Sequence, residues 1–291
     1  QNVALGDTAL DSVESGGTNN TAIGYQAGTA ITTGDFNTAL GSRSLEATNT
    51  GTENTASGFR ALLTNTTGSL NVAYGSGALQ LNTTGSNNSG FGKDALYSNT
   101  TASNNVAIGY QSLYANTTGT QQVAIGRQAM YSTTTGSQNT AVGQRALYDN
   151  STGQFNVALG YSALENNTTA SFNTAVGYKA GLANTTGIGI TAIGSDVLSA
   201  NTTGNANVAI GGTWTGNIEG ALRYNTTGNY NTAMGVGALS FNTTASNNTA
   251  VGYKSGYANT ATDNTSVGFL SLAATTSGNY NTALGSRALQ A

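Results

Sequence analysis

The chain has no cysteine, no proline and no histidine in 291 residues, and only 7% of it is charged, against about 25% in an average globular protein. Without cysteine there is no disulfide framework and no thiol nucleophile, and the compartment is left open. Without histidine there is no ordinary general base, and the twelve acidic residues are scattered with no recurring pair. The chain is therefore read as a non-enzyme. No apolar run nears the roughly 18 residues of a membrane-spanning helix, and no stretch reads as a signal peptide. A formal charge of −3 argues against nucleic acid, which calls for a basic face. The glycine spacings match neither a P-loop nor a dinucleotide fingerprint, and the calcium-binding nonapeptide is missing, so no cofactor and no metal is expected.

What is present is a repeat. The module Asn105 to Gln121, NVAIGYQSLYANTTGTQ, recurs with drift seventeen times. Copies start at Asn2, then every 17 residues from Asn20 to Asn207, then at Asn231, Asn248, Asn264 and Asn281. Numbered 1 to 17, the signature is Asn-[Thr/Val]-Ala-[aliphatic]-Gly-[Tyr/Ser]-x-Ala-Leu-x-x-Asn-Thr-Thr-Gly-x-x. So short and strict a period predicts an all-β parallel β-solenoid, a β-roll with one coil per repeat, running through residues 1–291 as one array. At a spacing of about 4.8 Å, the coils would make a rod of roughly 80 Å. Neither end carries a capping repeat, so the chain is read as an excerpt from a longer fibre or a processed product.

Positions 2 to 4 alternate as a strand does, and the reading places positions 2 and 4 on the core face and the position-3 alanine on the other. The resulting alanine stripe, from Ala107, Ala141, Ala158 and their equivalents, would be a flat self-association surface. Position 5 is glycine in every copy, as at Gly109, Gly126, Gly143, Gly160 and Gly177. That recurrence demands a positive φ or a backbone approach too close for a Cβ. Positions 8 and 9, mostly Ala-Leu, are read as a second strand. Three copies lose that leucine to Gly28, Gly181 and Gly256. Asn-Thr-Thr-Gly at positions 12 to 15 is turn chemistry. Its glycine is a preference only, since Ala102, Ala170 and Ala245 replace it.

The segments Asn105-Val106-Ala107-Ile108-Gly109, Asn156-Val157-Ala158-Leu159-Gly160 and Asn207-Val208-Ala209-Ile210-Gly211 resemble the head repeats of YadA-like trimeric autotransporter adhesins. The likeness covers the whole chain, and similar repeats occur in phage tail fibres and other extracellular fibrils. It implies a left-handed roll, three chains around one axis, and display outside the cell or on a virion surface. This chain departs from that family in its longer repeat and its Asn-Thr-Thr-Gly turn. The expected function is a structural fibre or adhesin segment that gives reach and repetitive display. The alternatives are a phage tail-fibre segment for host recognition and an ice-binding solenoid.

Several features bear on partners. Six of the nine cations fall at position 7, among them Arg43, Arg60, Arg145 and Lys179, and they read as a solvated edge rather than a polyanion row, since Asp94 and Asp196 interrupt them. Aromatics gather at position 6 (Tyr110, Tyr161, Tyr178) and position 10 (Tyr97, Tyr114, Tyr131, Tyr148), where rings can stack on a carbohydrate or, more commonly, on one another. Ten copies carry an N-glycosylation signal at position 12, namely Asn65, Asn82, Asn99, Asn116, Asn150, Asn167, Asn184, Asn201, Asn225 and Asn242. The paired threonines argue weakly for ice, because they are adjacent in a turn and position-2 threonine is read as core. Finally, Gly212 to Ile218, GTWTGNI, are extra to the repeat and are read as a loop. They hold the only tryptophan, Trp214, a candidate contact for a receptor or neighbouring chain.

Overall fold

The computed structural model describes residues 1–13, 16–213, 219–274 and 277–290. It divides into two compact units, Gln1–Gln144 and Arg145–Ala291, and in each the described residues form a parallel β-solenoid without helix. The first unit holds β1 (Val3–Leu5), β2 (Thr21–Ile23), β3 (Thr38–Leu40), β4 (Thr55–Ser57), β5 (Val72–Tyr74), β6 (Ser89–Phe91), β7 (Val106–Ile108), β8 (Val123–Ile125) and β9 (Thr140–Val142). The second holds β10 (Val157–Leu159), β11 (Thr174–Val176), β12 (Thr191–Ile193), β13 (Val208–Ile210), β14 (Thr232–Met234), β15 (Thr249–Val251), β16 (Thr265–Val267) and β17 (Thr282–Leu284). Within each unit every strand pairs in parallel with the next copy at identical repeat positions, as Val106, Ala107 and Ile108 do with Val123, Ala124 and Ile125.

The strand faces are the reverse of the sequence expectation. Ala107 is 0% exposed whereas Ile108 is 40% exposed, and the same inward alanine recurs at Ala22, Ala73, Ala158 and Ala209. The position-9 leucine packs directly on position 3, where a Cβ at Gly90 would lie 3.6 Å from Leu79 Cδ1, so the smallest residues point in there. The exposed stripe is therefore aliphatic, not alanine, and position-2 threonine lies on the outer side with it.

Positions 8 and 9 are both buried, as Ala95-Leu96 and Ala146-Leu147 show, but they are not a strand. Positions 7 and 9 take left-handed backbone, with φ near +50° at Gln111 (53°) and Leu113 (51°). A left-handed leucine costs about 1–2 kcal/mol, and its full burial returns about 1.5–3 kcal/mol, so the conformation is tolerable. Where Gly28 or Gly181 stands instead, the leucine's space is bordered by unusual core residues. A Cβ at Gly28 would lie 3.0 Å from Ile31 Cδ1, and one at Gly181 would lie 3.5 Å from Ile190 Cδ1. Both isoleucines stand where other coils have asparagine.

Hydrogen bonds between coils continue outside the three-residue strands. Leu113 N–H donates to Ala129 O (2.9 Å), Ala115 N–H to Tyr131 O (3.0 Å) and Thr117 N–H to Thr134 O (2.9 Å). The position-5 glycines meet both demands made of them. Gly109, Gly126, Gly143, Gly160 and Gly177 have φ between 128° and 135°, and a Cβ on Gly109 would stand 2.7 Å from Gly126 O. The position-15 glycines, such as Gly68 and Gly85, are not left-handed, so alanine's backbone fits there, but a Cβ on Gly85 would clash with Ala102 O, so the coil must shift to take Ala102, Ala170 and Ala245.

Two asparagine ladders complete each unit's core. At position 1, Asn71 N–H donates to Asn54 Oδ1 (3.0 Å) and Asn71 Nδ2 to Gly85 O (2.8 Å). At position 12, Asn82 Nδ2 donates to Asn65 Oδ1 (2.8 Å) and to that same Gly85 O (2.9 Å). The two carboxamides thus clamp one carbonyl, drawing residue 15 inward and satisfying polar groups that burial would otherwise penalise.

Candidate functional site

The position-12 ladder removes the ten glycosylation candidates. Asn65, Asn82, Asn99, Asn116, Asn150, Asn167, Asn184, Asn201, Asn225 and Asn242 are all 0% exposed, and Nδ2 of Asn99, Asn167 and Asn201, for example, is committed to two acceptors each. A glycan on that nitrogen would have to occupy the core, so the folded coil does not present these sites. The sequon arises because the ladder needs asparagine and the following residues happen to be threonine.

The surface carries three periodic features instead. The first is a face three side chains wide. Because position 1 and position 3 point inward, positions 17, 2 and 4 point outward together. In the second unit Phe155, Val157 and Leu159 form one such row and Phe172, Thr174 and Val176 the next, with the two phenylalanine rings stacked at 5.0 Å. In the first unit Leu70, Val72 and Tyr74 form another, and Tyr74 stacks on Phe91 at 6.5 Å. The only charges on this face among the described residues are Glu53 and Asp263.

The second feature is the aromatic rows, in which the rings cover one another. Tyr97, Tyr114 and Tyr131 stack with centroids 5.1 Å apart and planes within 14°. Burial pushes the Tyr114 phenol up, with Tyr131 and then Tyr97 adding to the effect. Tyr161 stacks on Tyr178 and Tyr253 on Phe269, both at 5.5 Å. Ring faces spent on neighbouring rings are not free for a sugar. The position-7 cations close over these same rings: Arg60 lies 4.8 Å from the Phe59 centroid, Lys179 5.1 Å from Tyr178. Arg145 lies 4.6 Å from the Tyr148 centroid and also pairs with Glu165 at 2.7 Å. They are edge groups of the roll.

The third feature was missed in the sequence. Position 15 is buried, so positions 14 and 16 flank it on the outside, as at exposed Thr84, buried Gly85 and half-buried Ser86. Position-13 hydroxyls are spent on the next coil, as when Thr83 Oγ1 donates to Thr100 O (3.0 Å). Threonines that are neighbours in sequence therefore play separate parts.

The insertion lies slightly later than the repeat suggested. Thr213 N–H donates to Ser195 O (3.0 Å), the bond a position-7 residue makes. Ala221 N–H then donates to Gly211 O (2.9 Å), the bond of position 8. The seven extra residues are thus 214–220 rather than 212–218. Trp214, the candidate contact residue, lies outside the described residues. Comparison of the chain with protein-family models, with curated proteins and with solved structures returns no match.

Proposed function

We propose that the chain is a structural display element, a β-solenoid segment of an extracellular fibre of the adhesin kind, assembled as a homotrimer through the face of positions 17, 2 and 4. The observation that carries this reading is that outward aliphatic and aromatic face, including Phe155, Val157, Leu159 and Phe172. Nine strands at about 4.8 Å and a width of four residue steps make it roughly 40 Å by 13 Å in the first unit, or about 500 Å². That is at the upper end of what monomers leave wet. A stable interface covers about 800 Å² on each partner, so the face of the first unit alone supplies more than half of that area. A second copy matches the face because it presents apolar rows at the same axial period. The resemblance of the Asn-Val-Ala-Ile-Gly segments supports three copies and a cell-surface or virion-surface setting; a phage tail-fibre segment would use the same architecture. In either, the function is reach with repetition, and the receptor, carbohydrate or otherwise, would be met through that surface.

Sedimentation equilibrium of the intact chain tests the reading. A trimer that dissociates when Val157 and Leu159 are both replaced by lysine is expected. A monomeric wild-type chain would overturn it.

A further inference from the structure

We infer that Tyr97, Tyr114 and Tyr131 form a site of oxidative cross-linking, at which a peroxidase with hydrogen peroxide joins tyrosines of successive coils as dityrosine. The three occupy position 10 of consecutive coils in the first unit. Their rings stack at 5.1 Å with planes 14° and 8° apart, and none is fully buried. The backbone fixes them side by side: Ser98 N–H donates to Tyr114 O (3.0 Å) and Ala115 N–H to Tyr131 O (3.0 Å). Two phenols are thereby held as an encounter pair, so that their coupling is an intramolecular step.

Stacking alone does not call for phenols. Tyr74 stacks on Phe91, Tyr224 on Phe241, Tyr253 on Phe269 and Phe155 on Phe172, so a bare ring serves the edge of a coil equally well. Position 10 nonetheless carries the hydroxyl in three successive coils, and Tyr161 and Tyr178 repeat the arrangement as a pair at 5.5 Å. Thiols and thioethers, the usual targets of oxidation, are scarce. The chain has no cysteine and two methionines, and Met130, beside Tyr131, is fully buried. In the coupling, each phenol gives up one electron and one proton. The two phenoxyl radicals join through ring carbons ortho to oxygen, and the hydrogens on those carbons move to the oxygens, restoring both rings. One peroxide takes up the two electrons and two protons and leaves as two waters. The new carbon–carbon bond ties coils that a cysteine-free chain cannot tie by a disulfide, and it restricts the unfolded chain as a disulfide does.

The site is independent of the fibre reading, because all three rings lie in one chain. Its test is treatment of the intact chain with peroxidase and hydrogen peroxide, isolation of the single-chain band on a denaturing gel, and peptide mapping after cleavage at Lys93, Arg127 and Arg145. Those cuts leave Tyr114 in residues 94–127 and Tyr131 in residues 128–145. The expected product is these two peptides joined, two hydrogen atoms lighter than their sum, with fragmentation placing the bond between Tyr114 and Tyr131. Tyr114→Phe keeps the stack, as the mixed pairs do, and should abolish the joined peptide, whereas Tyr110→Phe should retain it. Absence of the joined peptide from the wild-type single chain overturns the proposal, as does its persistence in Tyr114→Phe or its loss in Tyr110→Phe.

Discussion

Asn99 Nδ2 donates to Asn82 Oδ1 at 2.8 Å while Asn99 Oδ1 accepts Asn116 Nδ2–H at 2.9 Å, so each carboxamide completes its neighbour on both sides. A third bond runs from Asn99 Nδ2 to Ala102 O. Asn99→Leu should leave Asn82 Oδ1 without its donor and one hydrogen of Asn116 Nδ2 unpaired, and Ala102 O with only the bond from Asn88 Nδ2, while opening the ladder around a bulkier apolar side chain. A buried group left wholly unsatisfied costs about 1–3 kcal/mol, so urea denaturation should report a loss of at least that size. Asn99→Asp should fare no better, because an ionised carboxylate cannot donate. A loss below about 1 kcal/mol in Asn99→Leu would show that the ladder fills space without holding the coil.

The reciprocal change should stabilise. Thr133 occupies the same ladder position, is fully buried, and its hydroxyl has no hydrogen-bond partner. Thr133→Asn extends the donor towards Asn116 Oδ1 and Gly136 O, as its counterparts do. A gain of about 1 kcal/mol in unfolding free energy is expected. A loss would mean that the coil has shrunk around threonine.

Strand polarity makes a sharp contrast between adjacent residues. Ala107 is buried and Ile108 is outward. Ala107→Asp should unfold the neighbouring coils, since an unpaired buried charge costs several kcal/mol. Ile108→Asp should change unfolding free energy by less than about 1 kcal/mol, as exposed substitutions do, and should instead weaken self-association. The opposite ranking would restore the register in which position 4 is core.

The period, the all-β class and the position-5 glycine were legible because recurrence within one chain acts as its own control. The inside and the outside were not. Hydrophobicity favoured Ile108 as core, yet position 3 is restricted to Ala, Gly90 or Ser266 whereas position 4 runs from Ser57 to Phe91. In so thin a coil, narrow variation marks the interior better than apolar character does. The asparagines carry the same signal at positions 1 and 12, where turn chemistry accounts for them equally well in the sequence alone. Left-handed leucine was hidden for another reason, since leucine rarely marks positive φ. The hint lay in the glycines at Gly28, Gly181 and Gly256, which share the leucine's φ near 60°.

Asp149 should make stability depend on pH. Burial raises its carboxyl above the ordinary value, Glu165 raises it further, and Arg145 opposes them. The folded state thus holds this proton more tightly than the unfolded chain does. The linked stability is complete below the unfolded carboxyl value, about pH 3.9, and is lost as pH rises through the folded value. Asp149→Asn removes that dependence. The variant should gain stability relative to wild type between about pH 3 and pH 7. A difference that stays constant across that range would remove Asp149 as a titrating influence.

Deleting residues 214–220 should leave the solenoid intact. Thr213 already makes the position-7 bond to Ser195 O, and Ala221 already makes the position-8 bond to Gly211 O. Beyond the insertion, Leu222 N–H reaches Ala238 O at 3.0 Å, and Val208 still pairs with Thr232. Joining Thr213 to Ala221 therefore restores a 17-residue coil between two strands that are already in register. Among the described residues, the deletion removes the bonds that the Glu219 carboxylate accepts from Arg223 (2.9 Å) and from the Tyr224 hydroxyl (3.2 Å). Both are part-exposed, and such pairs contribute about 0–1 kcal/mol, while shortening a connection recovers a similar amount of closure entropy. Thermal unfolding should thus shift by only a few degrees. Collapse of the fold would mean that the insertion is part of the core, and the repeat register across it would have to be redrawn. A Trp214→Ala variant separates the remaining role: weaker assembly or surface attachment in an otherwise intact fold would mark Trp214 as a contact, and unchanged behaviour would leave the seven residues as a tolerated insertion.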